Sequence, residues 1–319
     1  MEMNEPIQST NNPNERRPFS FTGQGSRFFG IWAVNIILTI ITLGLYYPWA
    51  KAAVRRFMWN ETTVAGDRFV FHGTGKEMFR GFIIAYGIIF GLIALIFVFP
   101  MGIILFYIAL LVLGPIAIYG GWRYRMSRTS YRGIYFSFKG DMQEFVKLYL
   151  KNLFLTIITL GFYAPWMIVK VMKYLVDRTR LGDMEFSFEG EGDKLFVINI
   201  VGVLLSMLTL GIYSFWWMAK RFNFTFSNIV MHHNNGSDAM ISKLKGEDVL
   251  VVTLVNSLLL IFTLGFAFPW AMMRIMELYA SKLAIPAEVD LDSLQQDADD
   301  YKDATGDDLL DVLDMGLEF

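Results

Sequence analysis

The sequence predicts a mainly α-helical multi-pass membrane protein with about six transmembrane helices, repeated short surface β-strands and amphipathic interfacial helices, internally duplicated. Three observations predict it. Apolar runs without a charge cover 28–50, 81–122, 152–169, 195–219 and 249–273. Four of them end in, or run through, one motif: Thr42-Leu43-Gly44-Leu45-Tyr46-Tyr47-Pro48-Trp49, Thr159-Leu160-Gly161-Phe162-Tyr163-Ala164-Pro165-Trp166, Thr209-Leu210-Gly211-Ile212-Tyr213-Ser214-Phe215-Trp216 and Thr263-Leu264-Gly265-Phe266-Ala267-Phe268-Pro269-Trp270. One register of 117 residues separates Phe19 from Phe136, Phe69 from Phe186 and Thr42 from Thr159.

The elements follow in order. Residues 1–18 form a polar arm with Asn11, Asn12, Pro13 and Asn14 and no apolar core of a cleavable signal, and are expected to be disordered. Residues 19–135 read as a first repeat pair of strand, membrane helix, strand and helical hairpin. Residues 136–285 read as a second pair plus a degenerate final unit. Residues 286–319 form an acidic tail, expected to be solvated and mostly disordered.

Short strands are predicted at Phe19-Ser20-Phe21-Thr22-Gly23, Phe69-Val70-Phe71-His72-Gly73, Phe136-Ser137-Phe138-Lys139-Gly140 and Phe186-Ser187-Phe188-Glu189-Gly190. Side chains alternate along a strand, so both rings of each motif share a face. The following Gly suits a turn. A crossing needs roughly 20 apolar residues. The runs therefore predict crossings near 28–47, 82–99, 102–121, 148–166, 196–216 and 250–270, with a turn at Pro100. In each exit motif Gly ends the helix in a left-handed conformation, Pro starts the next in three copies, and the indole prefers the headgroup zone. Trp49, Trp166, Trp216 and Trp270 are thus expected as interfacial anchors, followed by amphipathic surface helices at 50–61, 167–178 and 271–282.

Polar residues recur inside the apolar runs. Asn35, Thr39 and Thr42 fall on one helix face, as do Asn152, Thr156 and Thr159; Ser206 with Thr209 and Asn256 with Thr263 extend the pattern. Two readings stand: interhelical hydrogen bonding, or a polar pathway along a central axis. No Asp, Glu, Lys, Arg or His lies within the runs, so the usual marks of a proton relay are missing from them.

Composition narrows the chemistry. Hydrophobic residues make up 54% of the chain, mean hydropathy is +0.41 and net charge is −2, which leaves no global basic footprint for nucleic acid. Zero Cys excludes disulfides and thiolate chemistry. His72, His232 and His233 have no companion ligands at metal-binding spacing, and neither Gly23-Gln24-Gly25 nor Gly73-Thr74-Gly75 is followed by the Lys of a phosphate loop. No metal, no cofactor and no enzymatic activity are therefore expected.

The Phe-x-Phe-x-Gly strand, the apolar run with Asn, the Thr-Leu-Gly exit and the basic follow-on together resemble the YjgN family of bacterial inner-membrane proteins, over about 19–285. Phe215 in place of the exit Pro, Ala267 in place of its Tyr and the poorly matched 227–246 depart from that pattern. The resemblance implies a multi-pass protein of the bacterial inner membrane and gives no reaction. Under six crossings, Lys and Arg concentrate in 51–80, 123–151 and 217–248, which leans toward external termini. The function expected first is a transporter or channel-like protein for a small or amphipathic solute. The alternative is a non-catalytic membrane scaffold or envelope-assembly factor. Expected partners are the lipid bilayer and a homo-oligomer or membrane partner protein. A polar cavity reaching both faces favours transport; a dry helix layer with a broad sheet favours a scaffold.

Overall fold

The structure, a computed structural model, describes residues 16–99, 102–233 and 236–296; the arm over 1–15, the Pro100 turn and the tail beyond Gln296 lie outside them. Among the described residues the order strand, helix, helix, strand recurs five times. The first pass is β1 (Arg17–Phe21), α1 (Gly25–Ile41), α2 (Tyr47–Asn60) and β2 (Thr62–Val64). The second is β3 (Asp67–Phe71), α3 (Gly75–Val98), α4 (Gly102–Ser127) and β4 (Thr129–Tyr131). The third is β5 (Ile134–Phe138), α5 (Met142–Ile158), α6 (Ala164–Asp177) and β6 (Thr179–Leu181). The fourth is β7 (Met184–Phe188), α7 (Gly192–Leu208), α8 (Ser214–Ser227) and β8 (Ile229–His233). Strand β9 (Gly236–Ala239) folds back on β8, and the fifth pass is β10 (Ile241–Ser242), α9 (Gly246–Phe262), α10 (Phe268–Ser281) and β11 (Leu283–Ile285).

The strands pair antiparallel in the order β10-β11-β1-β2-β3-β4-β5-β6-β7-β8-β9. The two edge strands, β9 and β10, are consecutive in the chain, so the sheet nearly closes into a barrel. The first Phe of each strand motif faces the closing strand of its own pass: Phe19 opposite Val64, Phe69 opposite Tyr131, Phe136 opposite Leu181 and Phe186 opposite Met231. Two strand spacings separate these Phe residues, about 10 Å along the sheet. Their ring centroids nevertheless lie 6.2 Å (Phe19–Phe69), 6.4 Å (Phe69–Phe136) and 6.3 Å (Phe136–Phe186) apart. Rings that converge in this way point to the concave side. With Val64, Tyr131, Leu181, Met184 and Met231 they fill the barrel interior, and Met240 takes the fifth place beside them.

This architecture overturns the six-crossing helical fold. Only α3 and α4 are long and apolar enough to cross a membrane among the described residues. Helices α1, α5, α7 and α9 have 17 residues each, about 25 Å. The physical reason lies in the exit motif. It reverses the chain, and the segments expected to lie along the membrane surface are the returning arms α2, α6 and α10, packed against α1, α5 and α9. Each helical hairpin starts and ends on the sheet, which also explains how all the Phe motifs share one barrel: no single crossing carries them to opposite sides. Neighbouring helices pack in sequence from α1 to α10, and α10 packs on α1, closing a ring.

Ion pairs tie the start of a hairpin to its end: Arg128 Nε–Glu77 Oε2 at 3.3 Å, Arg178 Nη2–Glu144 Oε1 at 2.9 Å, Lys282 Nζ–Asp248 Oδ2 at 2.8 Å and, with the signs exchanged, Arg27 Nη1–Glu61 Oε1 at 3.2 Å. The beginning of the acidic tail is also folded. Residues 286–296 cross the barrel mouth, burying Val289 and Leu291 in the core. They are held by Arg132, which pairs with Asp292 and donates to the Leu291 carbonyl, and by the Gln296 side chain, which accepts from the Tyr135 amide. The fully solvated tail expected from 286 onward is corrected to this extent. The arm likewise ends earlier, since Arg17 and Pro18 pair with Ile285 and Ala284.

Candidate functional site

The far end of the hairpins is the feature that sets this molecule apart, and the exit motif builds it. Thr42 Oγ1 donates to the Leu38 carbonyl at 2.7 Å and accepts from the Tyr46 amide at 3.0 Å, pinning both sides of the turn. Thr159, Thr209 and Thr263 repeat the pair of bonds. Between them the chain needs two successive positive φ angles, 49° at Leu43 and 90° at Gly44, repeated within a few degrees in the other three turns. Gly adopts this readily; Leu does so at a cost of about 1–2 kcal/mol. The strained Leu is nevertheless the most exposed apolar residue of each turn: Leu43 92%, Leu160 90%, Leu210 94% and Leu264 89%. Ile40 and Ile41, Ile157 and Ile158, Met207 and Leu208, and Ile261 and Phe262 flank them, also exposed. No charged residue occurs in any of the four turns.

The hydrogen bonds of the polar stripe stay inside individual hairpins. Asn35, Asn152 and Asn256 are all buried. Asn256 Nδ2 donates to the Ala271 carbonyl of the returning arm at 3.1 Å. Asn152 Nδ2 donates to the Leu148 carbonyl, while its Oδ1 accepts from Tyr163 Oη at 3.1 Å, which in turn accepts from Lys170 Nζ. Thr39 and Thr156 donate back to the Asn35 and Asn152 carbonyls. Ser206 is half-buried and its Oγ, like Asn256 Oδ1, is a buried atom with no hydrogen-bond partner. No hydrogen bond joins the stripe of one hairpin to that of another among the described residues.

Trp49, Trp166, Trp216 and Trp270 each stand third in a returning arm and pack over a glycine that opens the first helix of the next pass: Gly75, Gly192, Gly246 and, around the ring, Gly25. A Cβ on any of these glycines would overlap the indole. Trp166 Nε1 also donates to Asp193 at 2.9 Å and Trp216 Nε1 to Glu247 at 3.2 Å, groups of that same next helix. These Trp contacts join one hairpin to the next. The trace of this pairing in the sequence is a Gly at 25, 75, 192 and 246, four residues past the ends of β1, β3, β7 and β10, where β5 is followed by Met142. The Gly ending each Phe-x-Phe motif also serves packing: Gly23, Gly73, Gly140 and Gly190 have ordinary φ and lie under the ring of the Phe two residues before.

The histidines are placed on the sheet. His72 Nε2 lies 2.9 Å from Ser130 Oγ, and His232 bridges Ser187 and Ser237 at 2.7 Å on each side. His233 pairs with Asp238 at 2.9 Å. Among the described residues no group of three or more His, Cys, Asp or Glu is placed to hold a metal ion.

The family model for a bacterial protein of unknown function (DUF898) matches residues 16–189, 183–235 and 217–312, and the chain belongs to that family. It is 33% identical over 144 residues to a Salmonella typhimurium (strain LT2) protein named inner membrane protein YjgN, an alignment covering 44% of this chain and 36% of the relative. Proteins of the same name from Escherichia coli O157:H7 and K12 are 35% and 34% identical over 126 and 128 residues, each with 32% of the relative covered. The matched stretch is thus about a third of these relatives' length. No solved structure matches the chain.

Proposed function

We propose that this DUF898-family chain is a bacterial inner-membrane protein that acts as a non-catalytic scaffold, with its helical hairpins in the bilayer and its barrel in the cytoplasm. One observation carries the reading: five hairpins rise from one barrel, and their far ends are apolar, exposed and free of charge. Water makes such a surface costly, since each exposed Leu or Ile forgoes about 1.5–3 kcal/mol of burial. Lipid removes that cost. The four shorter hairpins are suited to enter one leaflet, and α3–α4 is long enough to span.

Orientation follows from charge. Lys76, Arg80, Arg123, Arg125 and Arg128 flank the barrel end of α3–α4, whereas its far end has no charged residue. The positive-inside rule puts such an end in the cytoplasm. This replaces the lean toward external termini, which depended on six crossings. A scaffold is preferred to a transporter because the hydrogen bonds of the polar stripe stay within single hairpins and the barrel axis is filled by aromatic and aliphatic side chains. Relatives named as inner-membrane proteins support the location.

Single cysteines in this Cys-free chain test the arrangement. With an impermeant maleimide on intact cells, Phe99→Cys should label, Gly133→Cys should label only after the cytoplasmic side is opened, and Leu43→Cys and Leu210→Cys should be protected throughout. Labelling of Leu43→Cys and Leu210→Cys from opposite sides of the membrane would overturn the reading. An ion or solute flux from purified protein in sealed vesicles would restore the transporter.

A further inference from the structure

One backbone hydrogen bond puts all five hairpins in a common register. The carbonyls of Glu61, Arg128, Arg178, Asn228 and Lys282 accept from the amides of Thr22, His72, Lys139, Glu189 and Lys243, each the first residue after the strand that opens its pass. Five residues on from those amides stand Arg27, Glu77, Glu144, Lys194 and Asp248. In four passes the side chains at these two places form the ion pair that ties the hairpin base: Arg27–Glu61, Glu77–Arg128, Glu144–Arg178 and Asp248–Lys282. In the fourth pass the same register sets Lys194 against Asn228, which carries no charge to answer it. Asn228 Nδ2 donates instead to the Phe224 carbonyl at 2.6 Å. Among the described residues Lys194 pairs with Glu191 alone, three positions back at 2.9 Å, and both side chains are more than half exposed. A surface pair of that kind is worth little.

The hairpin without its tie is the one with an open base. A cleft of about 790 Å³ lies there, lined by Lys194, Val197 and Ile198 of α7 and by Lys220, Phe224 and Ser227 of α8. Small-molecule sites usually hold roughly 300–1,000 Å³. Val197, Ile198 and Phe224 give the cleft an apolar floor between its two lysines. Asp193 also lines it, but its Oδ1 accepts from Trp166 Nε1 of the preceding hairpin at 2.9 Å. Lys220 Nζ donates to Tyr213 Oη at 3.0 Å and stands 5.7 Å from the centre of that ring; among the described residues it holds no carboxylate. The charge-free run over 195–219 begins beside Lys194 and stops short of Lys220. The cleft therefore lies where the charged base of the hairpin gives way to its apolar part.

We propose that the cleft between α7 and α8 binds one anionic phospholipid, its phosphate on Lys194 and Lys220 and an acyl chain along Val197, Ile198 and Phe224. The site rests on the membrane reading above and gives it a specific lipid contact. Charge complementarity selects the occupant. Where the first pass answers a cation at this register with the Glu61 carboxylate, the fourth leaves that place to an anion from outside the chain. Ammonium groups bind phosphate oxygens through charge-assisted hydrogen bonds. The apolar floor favours a lipid over a free anion, since a headless anion leaves Val197 and Ile198 uncovered. Under the membrane reading the base of the hairpin sits at headgroup level, where such a lipid is at hand.

The test uses the full chain in nanodiscs of phosphatidylcholine with and without phosphatidylglycerol, with retained lipid measured by native mass spectrometry and thermal midpoints recorded. Lys194→Gln is expected to weaken phosphatidylglycerol retention roughly tenfold, as loss of one charge-assisted contact implies. Val197→Trp, which fills the cleft, should weaken it at least as much. Asn228→Glu restores the tie found in the first pass. It should weaken retention while holding or raising the thermal midpoint, so it serves even if the other variants fail to fold. Lys170→Gln removes a lysine that stands on Tyr163 as Lys220 stands on Tyr213, but outside the cleft, and should change nothing. Full retention by Lys194→Gln, Val197→Trp and Asn228→Glu overturns the site, and so does an equal loss in Lys170→Gln. Competition by inorganic phosphate at matching affinity would replace the lipid by a free anion. Ready disulfide formation between Ser227→Cys and Leu313→Cys in one chain would give the cleft to the chain's own tail, and between Ser227→Cys of two chains to a second copy; either overturns the lipid. Flotation of the unaltered chain with pure phosphatidylcholine vesicles is read separately, and its failure strikes the membrane reading itself.

Discussion

At the scale of single residues, the turn leucines hold the clearest balance of opposing effects. A left-handed Leu costs about 1–2 kcal/mol, and in water its exposed side chain returns nothing. Replacing Leu43, Leu160, Leu210 and Leu264 together by Gly should therefore raise the thermal midpoint in mild detergent, while vesicle affinity falls at least tenfold, measured by flotation. Unchanged flotation would mean that the tips do not meet lipid. Gly75 is the opposite kind of position, because the indole and the Cα of Trp49 crowd it. Gly75→Ala should cost about 1–3 kcal/mol in chemical denaturation, the usual penalty for overpacking. Gly30, mid-helix in α1 with open space around it, is the matching control. Gly30→Ala should stabilise by about 0.5–1 kcal/mol.

At the scale of elements, His72, one residue past the end of β3, reaches across to Ser130 of β4, the ladder partner of Val70. Burial lowers the His72 pKa from its ordinary value, and Arg128 and Arg56 lower it further. The unfolded chain therefore takes up this proton first. The contribution to stability is complete above about pH 6.5 and is lost as pH falls below that value toward the lower folded pKa. Thermal midpoints recorded from pH 7.5 to 5 should decline for the unaltered chain. The decline should be shallower for His72→Gln, which keeps a hydrogen-bonding group within reach of Ser130. Equal slopes would show that His72 titrates alike in both states. The helices teach a related lesson. Their 17-residue length was readable as an apolar run, but a run of that length fits a short crossing or one arm of a hairpin equally well.

At the scale of the whole molecule, closure is the organising fact. Strand β11 pairs with β1, Trp270 packs over Gly25, and the segment over 286–296 seals the barrel mouth. Val289 and Leu291 are almost fully buried there. Val289→Asp with Leu291→Asp should open that end, lower the thermal midpoint by several degrees and raise binding of a hydrophobic dye. Burial of two such side chains is worth about 1.5–3 kcal/mol each. No change in either measurement would mean that the segment rests on the barrel without sealing it.

The sequence by itself determined the parts that local chemistry decides. Phe at alternate positions put two rings on one strand face, Thr-Leu-Gly marked the helix ends, and Asn within apolar runs announced buried partners. Its resemblance to a membrane family agreed with the family match found for the chain. Tertiary structure alone decided what those parts do together. Whether a chain leaving Gly44 continues along a surface or turns back depends on where α2 finds its partners. Trp49 over Gly75 and Phe57 against Phe28 supply them, from residues distant in sequence. Whether four Phe strands lie apart or converge depends on the strand pairing, which periodicity does not encode.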